Sequence, residues 1–90
     1  MKTFNDLDFN PLPTGVEGTR AEAYFPNGFG VSVVSGPYFY TSESGPYELA
    51  ILHKDGSITY DTPITNDVLG HLNRNEVTEI MRQVQELENE

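Results

Sequence analysis

Polar and apolar side chains alternate along residues 20–25, which puts two alanines and a phenylalanine on one side of the chain. This two-residue period is typical of a β-strand with one buried face. A hairpin turn is predicted at residues 26–28, because proline presets the first turn position and glycine accepts a positive φ. Residues 29–34 repeat the alternation and predict a second strand.

Two further apolar runs predict a second hairpin. Residues 47–53 form the third strand, a Lys-Asp-Gly turn follows at residues 54–56, and residues 57–60 form a short fourth strand. Between the hairpins, residues 35–46 contain two Gly-Pro steps. The second strand either stops there or continues through three aromatic residues before a loop at residues 41–46.

The register of the second hairpin has two solutions. A two-residue turn places His53 opposite Ile58, whereas a three-residue turn with a bulge places Leu52 opposite Ile58. The bulged form is favoured because it brings apolar side chains together on one face. Those side chains are Ala50, Leu52, Ile58 and Tyr60.

The last third of the chain predicts helix. Residues 65–70 are typical of one helical turn, with Thr65 as its cap and Gly70 as its stop. Asn73 and Glu76 have the spacing of a capping box. Apolar residues then recur at helical spacing and predict an amphipathic helix. They are Val77, Ile80, Met81, Val84 and Leu87.

Together these patterns predict an α+β fold, in which a four-stranded antiparallel meander packs one face against a C-terminal amphipathic helix. Residues 10–15 contain two prolines and a glycine, which interrupt both helix and strand. Residues 1–19 are therefore predicted to be an irregular N-terminal arm, and residues 20–90 a single α+β domain. The sheet face away from the helix is expected to be only partly shielded.

Composition narrows the classes of partner. The 90 residues hold five Lys and Arg against fourteen Asp and Glu, a net charge of −9, and no cysteine. The absence of cysteine excludes a disulfide framework and a thiolate zinc site. The acidic balance argues against direct nucleic-acid binding and against anionic membranes, and it allows attraction to a basic protein. With neither an apolar span nor the apolar core of a signal peptide, the protein is expected to be cytoplasmic.

Candidate chemistry is sparse. His53 and His71 lie too far apart in sequence for a typical zinc pair. The side-chain oxygens of residues 61 and 65–67, which are Asp61, Thr65, Asn66 and Asp67, could hold a hard cation, but capping hydrogen bonds use the same residue types. No nucleophile elbow is present, and the glycines at 28 and 30 join strand to strand rather than strand to helix. We therefore expect no enzymatic activity, no cofactor and no metal.

Two segments are candidates for protein contacts. Tyr38, Phe39 and Tyr40 lie between the Gly-Pro steps and either anchor an interface or fill the core. The predicted helix also carries an acidic stripe, interrupted by Arg74 and Arg82, which either solubilises the protein or contacts a basic partner. The candidate interaction residues are Tyr38, Phe39, Tyr40, Glu43, Glu48, Glu76, Glu79 and Glu86.

Three sequence blocks, FPNGFG from residue 25, YELAIL from residue 47 and YDTPITNDV from residue 60, resemble a group of small uncharacterised phage and prophage proteins. The resemblance covers residues 22–87 and implies a phage accessory protein in the host cytoplasm, with no catalytic residues. It suggests a non-enzymatic inhibitor of a host or anti-phage defence protein, such as an anti-CRISPR, that binds a basic surface. The alternatives are a structural or assembly protein acting as a homo-oligomer, and a nucleotide-signal sponge, which the low count of Lys and Arg disfavours.

Overall fold

The computed structural model describes residues 1–13 and 15–89. Its sheet has five antiparallel strands in sequential order, followed by one helix at the C-terminal end. The elements are a 3₁₀ turn at Phe4–Asp6, β1 at Asn10–Pro11, β2 at Thr19–Tyr24, β3 at Gly30–Ser35, β4 at Tyr47–Leu52, β5 at Leu69–Leu72 and α1 at Arg74–Gln85. The predicted α+β class is confirmed. In the described residues, no helix is long and apolar enough to cross a bilayer.

The prediction of four strands is wrong, because the sheet has five. The additional strand is β1, in the arm that was predicted to be irregular. It pairs with only the first two residues of β2, Thr19 and Arg20, at the edge of the sheet. Pro11 is tolerated at that edge because no further strand pairs with β1, so no partner requires the N–H that proline lacks.

The fourth strand was also placed incorrectly at residues 57–60. Only one bridge forms there, between Leu52 and Ile58, and pairing with β4 resumes at β5, where Leu69 lies opposite Leu49. An uninterrupted ladder would place Asp61 opposite Leu49, so eight residues, 61–68, are looped out. The helical turn predicted at residues 65–70 does not form, and its last two residues belong to β5.

The bulged register of the second hairpin is confirmed. Leu52 lies opposite Ile58, and the His53 N–H donates to the Ser57 carbonyl at 2.7 Å. The grouping that favoured this register is only partly correct. Ala50 and Leu52 are buried, whereas Ile58 and Tyr60 are exposed, the latter because the chain turns away from β4 after Thr59.

Side-chain hydrogen bonds stabilise both ends of the helix. The predicted capping box is present: Asn73 Oδ1 accepts from the Glu76 N–H at 2.8 Å, and the Asn73 N–H donates to Glu76 Oε1 at 2.9 Å. At the other end, Asn27 Nδ2 in the first hairpin turn donates to the carbonyls of Val84 and Leu87, at 2.9 and 3.1 Å. The Val84 carbonyl also accepts from the Leu87 N–H at 3.2 Å, so Asn27 adds a donor at the end of the helix and connects the hairpin to it.

The main core lies between α1 and one face of the sheet. Val77, Met81 and Val84 of the helix are fully buried against alternate residues of β3 and β4. The first ten residues extend this core, because the rings of Phe4 and Tyr47 meet edge to face at 5.0 Å and the Phe4 N–H donates to Thr78 Oγ1 at 3.0 Å. The strand residues in the cluster are Ala23, Val31, Val33, Leu49, Ile51 and Leu72.

Candidate functional site

The sheet face away from the helix forms a concavity, which we call the cup. Alternation along β3 and β4 points Ser32, Val34, Ala50 and Leu52 into it, opposite in direction to the core residues between them. Ala50 and Leu52 are buried at its floor, yet neither belongs to the main core cluster. The cup has a volume of about 360 Å³, within the range of cavities that bind small ligands or side chains.

Loops and neighbouring strands provide the walls of the cup. Leu12 and Arg20 line the β2 side, Phe39 and Val68 line the β5 side, and Gly56 and Ile58 of the second hairpin close one end, while Glu48 lies on β4 two residues from Ala50. The looped-out segment ends at Val68, so the interruption of the fourth strand supplies one wall. The lining is mostly apolar, with a few polar groups, which is typical of a binding cavity.

The charged side chains that line the cup, Arg20 and Glu48, differ in how fully they are already paired within the protein. Arg20 lines the cup but forms an ion pair with Glu22, its neighbour on the same face of β2. Glu48 accepts from the Tyr40 N–H at 3.5 Å, a contact at the outer limit of a hydrogen bond. A carboxylate can accept several donors, so Glu48 retains capacity for a cationic group. Arg20, Val34 and Glu48 lie in one cross-strand row, so this end of the cup holds the Glu48 carboxylate beside the Arg20–Glu22 pair. Its net charge is negative, and we call it the acidic end of an otherwise mostly apolar cavity.

The candidate aromatic segment forms the rim of the cup. We call residues 36–46 the tyrosine loop. Phe39 is half-buried in the wall of the cup, whereas Tyr38 and Tyr40 are 72% and 68% exposed. The two sequence interpretations of this segment thus divide between its residues: the phenylalanine packs inward, and neither tyrosine fills the core.

The backbone of the tyrosine loop is held in place at several points. The Thr41 N–H and hydroxyl donate to the carbonyls of Phe39 and Gly36 at 2.8 and 3.0 Å, and the His71 N–H of β5 donates to the Tyr40 carbonyl at 2.8 Å. The loop also approaches β5 closely, since a Cβ on Gly45 would lie 2.2 Å from the His71 carbonyl oxygen. Tyr38 and Tyr40 are consequently displayed on a constrained backbone, which lowers the entropic cost of binding.

The acidic residues of the helix lie on the opposite side of the sheet and have partners within the helix. Glu76 completes the capping box, and Arg82 forms ion pairs with both Glu79 and Glu86. Hydrogen bonds from Arg82 hold the pKa of Glu79 below its usual range. The eight candidate residues therefore separate into two groups, of which Tyr38, Phe39, Tyr40, Glu43 and Glu48 belong to the loop and β4 at the cup.

Replacing Glu79 by glutamine is expected to remove part of the acid sensitivity of the fold. Because the folded-state pKa of Glu79 is lowered, its stabilisation is complete above the unfolded pKa of about 4.3 and is lost as pH falls through the folded value. The variant should therefore be less stable than the parent at neutral pH and equal to it at strongly acidic pH, by urea unfolding. The difference should shrink in salt, since the pair is exposed. Glu43→Gln in the tyrosine loop is the control, and an equal pH dependence in both variants would contradict the assignment.

The oxygens considered for a cation serve turns in the looped-out segment. The Asp67 N–H donates to Thr65 Oγ1 at 3.1 Å, and the Val68 N–H donates to Asp67 Oδ1 at 2.7 Å. These residues thus cap a loop rather than the predicted helical turn. Across residues 1–13 and 15–89, no group of three or more His, Asp or Glu side chains is placed to hold a metal ion.

The floor of the cup was not identified as a site from the sequence. Residues 49–52 are four consecutive apolar residues, a pattern typical of a strand that is buried on both faces. That pattern was the available signal, and it indicates that something besides the helix covers or occupies the second face. Comparison of the chain with protein-family models, curated proteins and solved structures finds no match.

Proposed function

We propose that this chain is a non-enzymatic binding protein that contacts a partner protein through the tyrosine loop and the cup. The observation that carries the proposal is the exposure of Tyr38 and Tyr40 on a backbone held by β5, directly beside an apolar cavity. Exposed tyrosines around a desolvated centre are typical of the residues that dominate binding energy in protein interfaces.

The charge of the chain supports a basic partner. With a net charge of −9, the protein attracts positively charged surfaces over a distance of about one Debye length and repels nucleic acid. The acidic residues beside the tyrosines, Glu43 and Glu48, place negative charge at the proposed contact. The acidic stripe of the helix supports the proposal less well, because Glu79 and Glu86 already pair with Arg82.

The biological role that we propose is that of a phage accessory protein acting inside an infected bacterium. Its partner would be a host or anti-phage defence protein, which it inhibits by covering a basic surface. The resemblance of three sequence blocks to small phage and prophage proteins supports this context. The inhibited activity would be identified by the partner that the tyrosine loop retains.

Replacing Tyr38 and Tyr40 together by alanine is expected to lower retention of the partner at least about tenfold, because tyrosine is enriched among the interface residues whose truncation costs about 2 kcal/mol or more. The measurement is a pull-down from bacterial lysate at low and moderate salt, with the retained protein quantified by mass spectrometry. Tyr60→Ala is the matched control, since Tyr60 is a 53% exposed tyrosine outside the loop. Retention that survives the double variant, or that ignores salt, would reject the proposal.

A second candidate function is a structural homo-oligomer assembled through the cup. The half-buried apolar residues that line the cup favour it, since association would bury Val34, Phe39 and Val68 more completely. Assembly through strand edges is disfavoured at both edges of the sheet. Pro11 in β1 has no N–H to donate to another strand, and the His71 N–H of β5 already donates to the Tyr40 carbonyl. Light scattering separates the two functions: a stable dimer in isolation supports the homo-oligomer, and a monomer supports the binding protein.

A further inference from the structure

The geometry of β4 sets a spacing for anything that occupies the cup. Ala50, at the floor, and Glu48, at the acidic end, lie two residues apart on the same face of one strand. Residues two apart on a strand are separated by about 6.7 Å, and the same distance separates residues two apart in any extended peptide. An extended segment lying along β4 would therefore align alternate side chains with these two positions.

The lining of the cup favours an apolar side chain, and its volume is ample for one. The floor combines two small residues, Ser32 and Ala50, flanked by Val34 and Leu52, with Phe39 as a wall. A volume of about 360 Å³ is at the small end of ligand cavities. An aliphatic side chain that enters this space contacts apolar groups on the floor and on the sides, and it buries the half-exposed side chains of Val34 and Phe39 more completely.

The charged residues of the cup determine which residue is favoured two positions from that apolar side chain in the bound segment. The Glu48 carboxylate accepts one long hydrogen bond, from the Tyr40 N–H at 3.5 Å, and retains capacity for further donors. Arg20, in contrast, is already paired with Glu22. A cationic group two positions from the apolar residue would meet Glu48, and an acidic group there would be repelled. A second copy of this chain is disfavoured as the occupant, because two chains of charge −9 repel each other.

We propose that the cup binds an extended segment of a partner protein in which an aliphatic residue and a lysine or arginine are two positions apart. The aliphatic side chain occupies the cavity over Ala50, and the cation contacts Glu48. This inference rests on the proposed function and adds to it a recognition pattern in the partner. The exposed Tyr38 and Tyr40 lie at the rim, where they flank the bound segment.

The test uses synthetic peptides and the intact protein. Two heptapeptides, Gly-Ser-Leu-Ser-Arg-Ser-Gly and Gly-Ser-Arg-Ser-Leu-Ser-Gly, carry the pattern in both orders, and Gly-Ser-Leu-Arg-Ser-Ser-Gly has the same composition with the two residues adjacent. All three are acetylated and amidated. Binding is followed by the amide NMR shifts of Ser32, Val34 and Ala50. We expect saturable shifts at these amides with at least one spaced peptide, and at least about threefold weaker binding of the adjacent peptide.

Two variants make the test independent of peptide design. Ala50→Leu fills the cavity and should lower affinity for the spaced peptide about tenfold or more. Glu48→Gln should lower the affinity for the spaced peptide but leave unchanged the affinity for the same peptide with Arg replaced by Ser. Glu79→Gln, on the helix face, should change neither affinity. Glu48→Gln decides the outcome if Ala50→Leu does not fold.

Three results would overturn the inference: no shifts at the cup amides, equal binding of spaced and adjacent peptides, or shifts that depend on protein concentration alone, which indicate self-association. Failure of the proposed function is distinguishable from these. In that case the peptides bind the cup normally, and no protein retained from lysate depends on Tyr38 and Tyr40.

Discussion

Replacing Gly45 by alanine is expected to destabilise the protein by about 2–3 kcal/mol and to detach the tyrosine loop from β5. A Cβ at this buried position would lie 2.2 Å from the carbonyl oxygen and 2.4 Å from the carbonyl carbon of His71. Both atoms belong to a backbone, so no side chain can rotate away, and the strand or the loop must move. Overpacking of this kind commonly costs 1–3 kcal/mol, and the rigid neighbour places Gly45 at the upper end.

The loss should be visible in two measurements. Urea unfolding should report the lower stability, and hydrogen exchange should report faster exchange of the His71 amide, because its hydrogen bond to the Tyr40 carbonyl depends on the docked loop. Ser44→Ala is the control at the adjacent exposed residue and should change stability by less than about 0.5 kcal/mol. A Gly45→Ala protein with parental stability and slow His71 exchange would contradict the close approach of the two backbones.

The elements that the sequence predicts well are those specified by neighbouring residues. β2 and β3 follow from alternation and β4 from an apolar run. The first hairpin turn follows from a Pro-Asn-Gly run, and the start of α1 from the Asn73–Glu76 capping box. The bulged register of the second hairpin is also local, since it depends on a three-residue turn between His53 and Ser57.

The placement of β5 could not be predicted in this way, because its residues are selected by distant partners. Gly70 resembled a helix stop, but in the fold it allows Tyr40 to approach, since an added Cβ would lie 2.6 Å from Tyr40 Cβ. His71 adopts φ 55, which makes it the one non-glycine residue in the described chain with a positive φ. Such a conformation follows from the bulge between β4 and β5, and local preferences for histidine do not indicate it.

The candidate site was predictable in its residues but not in its geometry. The aromatic segment was recognised from its composition, yet whether Tyr38 and Tyr40 face solvent depends on Phe39 occupying the wall of the cup. The cup itself combines strands, the arm and the looped-out segment, which lie far apart in sequence. Val68 and Leu12, for example, line one cavity from opposite sides although 56 positions separate them.

Replacing Leu49 by alanine is expected to cost about 3–4 kcal/mol, the largest effect among these predictions. Leu49 is completely buried between β4 and the helix, and truncation of such a leucine loses its transfer free energy and leaves a cavity. A domain of 90 residues has a total stability of about 5–13 kcal/mol at usual values per residue. The variant should therefore lose a large fraction of its stability, measured as a lower urea midpoint with an unchanged slope.

Val34→Ala is the matched comparison, because it also removes aliphatic carbons from a strand but on the cup side, where Val34 is half-buried. It should cost only about 1 kcal/mol, since the cup is already open to water and little new cavity forms. The two faces of the sheet would then serve separate purposes, with the helix side determining stability and the cup side determining binding. Equal losses from Leu49→Ala and Val34→Ala would instead mean that the cup is closed in solution, and the partner contact would have to be sought on the exposed tyrosines alone.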